Sequence, residues 1–266
     1  MTRDHLQPES LKQTPHIVVF LDFLGASDKM ENPARSDDFL KTMQQIYDEV
    51  ETFLCFNRSL SKSDQNHEIN AKIFSDNIIL FTEYSEENFV QKCQNLFWTC
   101  SIFQMYALAE KAPLRGAITC GKFCNTNLFV YGEALVRAYK LESKVANYPR
   151  IIIDKNIIAA SKEIPQLDMY GANIKLLKQD IDGEWFIKLP FVISPSGDAS
   201  SSSRMLQLMG QGIISAYKDS KLNETIKRKY SWLTKNFNEF CEENKLEQCK
   251  IPIDANGDLV SSEGEL

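Results

Sequence analysis

Ile17-Val18-Val19-Phe20-Leu21-Asp22-Phe23-Leu24-Gly25 is an apolar run of strand length with a carboxylate set near its end. β-Branched and aromatic residues in such a run predict a buried strand. An unpaired charge there is costly, so Asp22 needs a cation, hydrogen-bond donors or water. A second acid bears on the problem. Lys72-Ile73-Phe74-Ser75-Asp76-Asn77-Ile78-Ile79-Leu80-Phe81 reads as two strands joined at Ser75-Asp76, a hairpin with an acidic turn. If the first strand lies beside that hairpin, Asp22 and Asp76 converge at one end of a sheet. Two convergent carboxylates repel, and a divalent cation between them relieves the repulsion. Oxygen ligands of this kind select hard ions such as magnesium or manganese. The plainer reading is that Asp76 caps its own turn and Asp22 bonds local amides.

Strand patterns extend over His16–Leu21, Ile69–Phe74, Asn77–Thr82, Leu114–Cys120, Arg150–Ile153 and Trp185–Leu189. Helical periodicity runs through Asp37–Phe53, where Phe39, Leu40, Met43, Ile46, Tyr47 and Val50 recur, and again through Glu87–Leu108 and Gly132–Ala146. Helix, hairpin and helix around one sheet predict an α+β sandwich of ferredoxin-like type. Residues 1–15 form a polar arm, 16–193 the principal domain and 194–203 a Ser/Pro/Gly linker. Helical segments at Met205–Tyr217 and Asn223–Phe240 give a C-terminal extension over 204–249, which braces a dimer or caps the sheet. Residues 250–266 read as a loose acidic tail.

With 266 residues, 43% hydrophobic and 25% charged, the chain has an ordinary soluble globular composition. A net charge of −6 gives no general attraction to nucleic acid or to anionic membrane. The 7 cysteines are scattered, with no Cys-x-x-Cys pair, and nothing completes a zinc set around Cys120 and Cys124. Without a signal peptide, the expectation is reduced, mostly buried thiols in the cytoplasm. No apolar run is long enough to span a bilayer. His5, His16 and His67 lack partner patterns and read as surface residues, and Gly121-Lys122 lacks the rest of a P-loop. Phe23-Leu24-Gly25-Ala26-Ser27 is small enough for close approach to a ligand, with backbone amides suited to phosphate oxygens.

Three segments, in order over Ile17–Ile153, resemble the class III nucleotidyl cyclase catalytic domain. They are FLDFLGAS, Lys72-Ile-Phe-Ser-Asp76, and LRGAITCGKF followed by FVYGEALVRAYKLESKVA (Phe129–Ala146). The resemblance implies a ferredoxin-like fold of cyclase type and a head-to-tail homodimer with active sites across the interface. It implies up to two manganese or magnesium ions on Asp22, the Phe23 carbonyl and Asp76. Phe23, Leu24, Gly25, Ala26 and Ser27 would surround the phosphates, with Lys72 and Phe129 near the base. The family's helical Asn and transition-state Arg fall on Val136 and Lys140. Lys140 would then supply a point charge without the bidentate geometry of arginine. Arg137, one turn earlier, shares its face and is the alternative cation, against a plain reading as a solvated residue paired with Glu133 or Glu142. Lys72 equally reads as a lysine snorkelling to solvent, and Arg115 as a sheet arginine paired with a carboxylate.

A closer resemblance, through YGEALVRAYKLE (Tyr131–Glu142) and YPRIII (Tyr148–Ile153), is to the bacterial pyrimidine cyclases of the Pycsar antiphage system. That implies conversion of UTP or CTP to cyclic UMP or cyclic CMP plus pyrophosphate in antiviral signalling. A separate effector would read the product, with no nucleic acid or membrane partner. A purine cyclase acting on ATP or GTP, and a catalytically silent nucleotide-binding dimerisation module, are the alternatives.

Overall fold

The computed structural model describes residues 11–60, 69–160, 167–169, 172–174, 176–189, 199–219, 224–254 and 259–260. Strand β1 (Thr14–Phe23) is central and is buried on both faces, which is why its sequence is a continuous apolar run rather than an alternating one. It pairs antiparallel with β3 (Asn77–Glu83) from His16↔Glu83 to Asp22↔Asn77. On its other side it pairs with β4 (Leu114–Asn125) from Thr14↔Phe123 to Phe23↔Leu114. β2 (Asn70–Phe74) forms the expected hairpin with β3, turning at Ser75, whose φ is 53°.

The first four strands, with helices α2 (Pro33–Leu60) and α3 (Phe89–Ala109) between them, lie in the order β2-β3-β1-β4. This is the antiparallel βαββαβ arrangement that the sequence pattern predicts. Beyond β4 the sheet adds β6 (Ile151–Ile153), parallel to β4 after a crossover through α4 (Glu133–Lys144). It ends with β10 (Trp185–Ile187) and β9 (Leu177–Gln179). The short β5 (Val130–Tyr131) folds back on β4, and β7 (Leu167–Met169) pairs with β8 (Ala172–Ile174) in a separate ribbon. Two short helices, α1 (Ala26–Met30) and α5 (Lys155–Ala160), carry no pattern long enough to read from sequence.

One face of the sheet packs Ile17, Val19, Leu21 and Phe23 against Phe39, Ile46, Leu96 and Phe97 of α2 and α3. The other face packs Val18, Phe20, Ile79 and Phe81 against Ala134 and Ala138 of α4. α3 has a second apolar side. Its Ile102, Met105 and Leu108 meet Leu206, Met209 and Ile213 of α6 (Ala199–Asp219) and Leu233 and Phe237 of α7 (Glu224–Glu243). A helix buried on both sides has to be apolar nearly all round, as α3 is. Where α6 crosses α3, a Cβ on Gly212 would stand 1.8 Å from the Leu108 carbonyl oxygen, so the close approach requires glycine.

Several expectations change. α6 begins at Ala199, so the second half of the expected 194–203 linker is helix. β4 continues past Cys120 to Asn125, because pairing with the start of β1 and with β5 extends it. The expected loose tail is anchored in part: Ile251 and Leu259 are buried, and Asn238 exchanges two 2.8 Å hydrogen bonds with the Ile251 backbone. His16 is buried between Phe81 and Phe123, with ring centroids 6.1 and 5.2 Å away, and burial lowers its pKa. His5 and His67 lie outside the described residues.

The C-terminal layer is tied to the sheet edge by charge as well as by apolar contact. Arg150, fully buried, makes ion pairs with Asp180 and Asp182 in the β9–β10 turn. Its guanidinium also lies 5.3 to 5.9 Å from the ring centres of Tyr148, Phe186 and Trp232. Trp232 of α7 stacks on Tyr148 and donates its indole N–H to Asp180 at 2.8 Å. Farther along α7, Glu239 pairs with Lys178 and Glu243 with Lys188. Replacing Arg150 with Ala leaves two carboxylates without their cation. Urea unfolding is expected to show a loss of about 3–5 kcal/mol. A loss below about 1 kcal/mol would mean that the apolar contacts alone hold this edge.

Candidate active site

Side chains alternate along β1, so Asp22 shares the α4 side of the sheet with Val18 and Phe20. Register places Arg115 of β4 directly opposite Asp22. The Arg115 Nη2 group donates to Asp22 Oδ2 at 3.1 Å and lies 2.5 Å from Oε1 of Glu142, which descends from α4. Glu142 has a side chain only 3% exposed, against 20% for Asp22. Its contact with Arg115 is an ion pair without hydrogen-bond alignment, and Arg115 Nε and Glu142 Oε1 remain buried without hydrogen-bond partners. The cation that the strand-end carboxylate requires is therefore Arg115.

Asp76 arrives from the β2–β3 turn, since Asp22 pairs with Asn77 and the Phe23 amide points to the Asp76 carbonyl at 3.4 Å. Burial raises the Asp22 pKa above the ordinary carboxyl value, Arg115 opposes the rise, and the neighbouring Asp76 carboxylate adds to it. Glu142 is raised by the same burial, again against Arg115. Two further groups face the cluster that sequence reasoning did not single out. The Tyr47 hydroxyl of α2 is buried without a hydrogen-bond partner, and burial together with Asp76 raises its pKa. Lys229 of α7, half-buried, lies within electrostatic reach of Asp22, Glu142 and Arg115. Its one signal in the sequence is a position one turn before Trp232 on the same side of the helix.

The expected phosphate loop is only partly open. The Leu24 amide is used on the Pro113 carbonyl at 2.9 Å, and the Phe23 side chain is buried against Phe39 and Tyr47. Gly25 adopts φ 76°, a left-handed turn that favours glycine, and leads straight into α1. The amides of the first turn of α1, from Ala26 and Ser27, have no intrahelical acceptor. Lys72 pairs with Ile79 and so lies on the α4 side of the sheet, two strands from β1.

The remaining expected residues lie elsewhere. Arg137 pairs with Asp154 and donates to the Cys120 carbonyl at 3.4 Å, roughly 16 Å along β4 from Arg115. Asp154 also accepts from Thr119 and from the Asn156 amide, so Arg137 is bound into the β6–α5 corner instead of lying on a solvated face. Val136, Tyr139 and Lys140 are exposed on α4, and the Tyr139 ring meets Phe20 edge-on with ring centroids 5.6 Å apart. Phe129 lies at the β4–β5 tip, where Thr126 holds its amide at 3.0 Å. β4 runs on to Asn125, so at about 3.3 Å per residue its far end lies roughly 30 Å from Arg115. One chain does not bring Phe129 to its own Asp22–Asp76 pair.

Among the described residues, no group of three or more His, Cys, Asp or Glu side chains could hold a metal ion. Two carboxylates and a carbonyl are nevertheless a donor set that suits magnesium or manganese, which take few protein ligands and complete their shell with phosphate and water. Arg115 occupies Asp22 Oδ2 and Asn77 donates to Asp76 Oδ1 at 3.1 Å. The residues at this sheet end fit such an ion on their other oxygens.

No family model and no curated protein matches the chain. Among solved structures it is similar to the guanylyl cyclase Cya2, with 11% identity and a TM-score of 0.45 over 66% of this chain and 93% of that one. It is also similar to a class III adenylyl cyclase-like ATP-binding protein from Pseudomonas aeruginosa, with 11% identity and a TM-score of 0.41 over 60% of this chain and 38% of that one. Among the described residues no helix is long and apolar enough to cross a membrane.

With raised carboxyl values, the folded chain holds the Asp22 and Glu142 protons more tightly than the unfolded chain does. Their contribution to stability is therefore full below about pH 4 and is lost as pH rises through the folded values. Asp22→Asn is expected to raise the thermal midpoint at pH 7 by about 1–3 °C, the gain vanishing toward pH 4. A midpoint below the wild type at pH 7 would show that the Arg115 pair outweighs the burial of Asp22.

Proposed function

We propose that the chain is a metal-dependent nucleotide cyclase that closes UTP or CTP to a 3′,5′-cyclic nucleotide with release of pyrophosphate. The observation that carries this is the meeting of Asp22 and Asp76 at one sheet end, beside an open helix turn and a half-buried arginine. In the reaction the ribose 3′-oxygen attacks the α-phosphorus, its proton leaves to solvent or a carboxylate, and the bond to the pyrophosphate oxygen breaks. A bound magnesium or manganese ion would lower the pKa of the attacking hydroxyl and neutralise phosphate charge. Asp22 and Asp76, with the Phe23 carbonyl, would hold it. Ala26 and Ser27 offer amides to the phosphate oxygens, and Arg115 sets a guanidinium beside the same position. Little covalent work is left to side chains, so positioning and charge stabilisation dominate.

Phe129, Lys140 and the exposed apolar side chains Val136 and Tyr139 belong, in this reading, to a site completed by a second copy in head-to-tail arrangement. The distance of Phe129 from Asp22 within one chain supports that arrangement. The pyrimidine preference is supported by the YGEALVRAYKLE resemblance and by Phe129, which offers no polar side chain to a purine edge. Cytoplasmic antiviral signalling, with a separate effector reading the cyclic product, follows from the same resemblance. One observation favours a second reading. Arg115 already neutralises Asp22, and Val136 stands where the resembled family has asparagine, as suits a silent nucleotide-binding module.

Incubation of the purified chain with each of the four nucleoside triphosphates and manganese decides between them. Cyclic UMP or cyclic CMP is expected, with turnover falling about 1,000-fold or more in Asp22→Asn and Asp76→Asn while both variants stay folded. A purine product would reassign the base. Triphosphate binding without any cyclic product would establish the silent module.

A further inference from the structure

Arg115 is held incompletely. Its Nη2 lies 3.1 Å from Asp22 Oδ2 and 2.5 Å from Glu142 Oε1, so one nitrogen stands between two carboxylates. Of the two, Asp22 receives the hydrogen bond. The approach to Glu142 lacks hydrogen-bond alignment, and Glu142 Oε1 stays buried without a donor. Arg115 Nε, in the same place, stays buried without an acceptor. Nε and Nη2 form one edge of the guanidinium, an edge that can clasp a carboxylate with two parallel hydrogen bonds. The unmet donor and the unmet acceptor are therefore the atoms that a side-on Arg115–Glu142 pair joins.

Buried polar atoms without partners are costly, and these two are kept apart by the pull of Asp22 on the guanidinium. Asp22 is also the carboxylate that, with Asp76, suits a divalent cation. A cation on the other oxygen of Asp22 sets two positive charges on one carboxylate, and their repulsion acts against the Arg115 hydrogen bond. Glu142 is in position to receive the guanidinium. Its side chain is 3% exposed, and Arg115 is its one ion-pair partner among the described residues.

We propose that Arg115 guards Asp22 and that Glu142 is the positioning residue that takes the guanidinium over. When a divalent cation binds at Asp22 and Asp76, Arg115 leaves Asp22 and closes on Glu142 through Nε and Nη2. The inference rests on the cation reading above. It adds a release step, by which a chain whose Asp22 is neutralised by arginine can still load an ion. A purely structural Glu142 would balance Arg115 with or without the ion. Its charge would then aid cation binding equally whether or not Arg115 is present.

Two measurements on the full chain separate these cases. With arginine nitrogens labelled, the Arg115 Nε–H resonance is identified by its absence from Arg115→Lys. Addition of magnesium is expected to move it downfield, as it gains the Glu142 acceptor. Asp22→Asn, which removes the charge holding the guanidinium, is expected to show the shifted position without magnesium. Manganese affinity, read from the spin-resonance signal of the free ion, gives the second measure. Glu142→Gln is expected to weaken manganese binding about 10-fold in the wild type, and less than about 2-fold in Arg115→Ala. An Arg115 resonance unmoved by magnesium, equal losses in the two backgrounds, or no manganese binding by the wild type overturns the proposal. Cyclic product from a chain whose Arg115 resonance stays fixed leaves the cyclase reading standing. A moving resonance in a chain that makes no cyclic product has the opposite meaning: the transfer of Arg115 holds and the cyclase reading fails.

Discussion

A guanidinium with no exposed surface is tolerable only when charge and hydrogen bonding replace the water it has lost. Arg150 meets that condition with two carboxylates of the β9–β10 turn and three aromatic rings, drawn from the approach to β6, from β10 and from α7. These segments are remote in sequence, and their common dependence on one side chain fixes their relative positions. The sheet edge, the turn that follows it and the last long helix therefore form one unit.

At that end the physical problem is reversed. Arg115 is shared between Asp22 and Glu142, and Asp76 adds a further negative charge, so the carboxylates are incompletely compensated. Such an arrangement lowers stability, and it is retained in folded proteins mainly where charge has work to do on a ligand. The contrast with Arg137 is instructive. Paired with Asp154, itself held by Thr119 and the Asn156 amide, Arg137 belongs to a closed network that has no need of a further partner.

Much of this was legible in the sequence because it is local or periodic. The run at Ile17–Leu21, the acidic hairpin and the three long helical patterns gave the βαββαβ order, and the strand ends gave the Asp22–Asp76 meeting. The pairing of Arg115 with Asp22 depends on the register of β1 against β4, two segments about ninety residues apart, which periodicity does not specify. Glu142 adds the orientation of α4 to that requirement, and Lys229 adds the whole C-terminal layer. Arg137 pairs with Asp154 rather than with the expected Glu133 or Glu142, because Asp154 becomes its neighbour only through the parallel pairing of β4 with β6. His16 was misread because Phe81 and Phe123 cover it from two other strands.

The two-sided burial of α3 also has a consequence for how the chain is made. α3 emerges from the ribosome long before α6 and α7, and it cannot cover its outer face until they arrive. At synthesis rates of about 5–20 residues per second, Ile102, Met105 and Leu108 wait on the order of ten seconds without their partners. The ferredoxin-like half therefore passes through a period in which it is assembled yet sticky. The nascent chain is most exposed to aggregation, and most in need of a chaperone, just before its last helices are released.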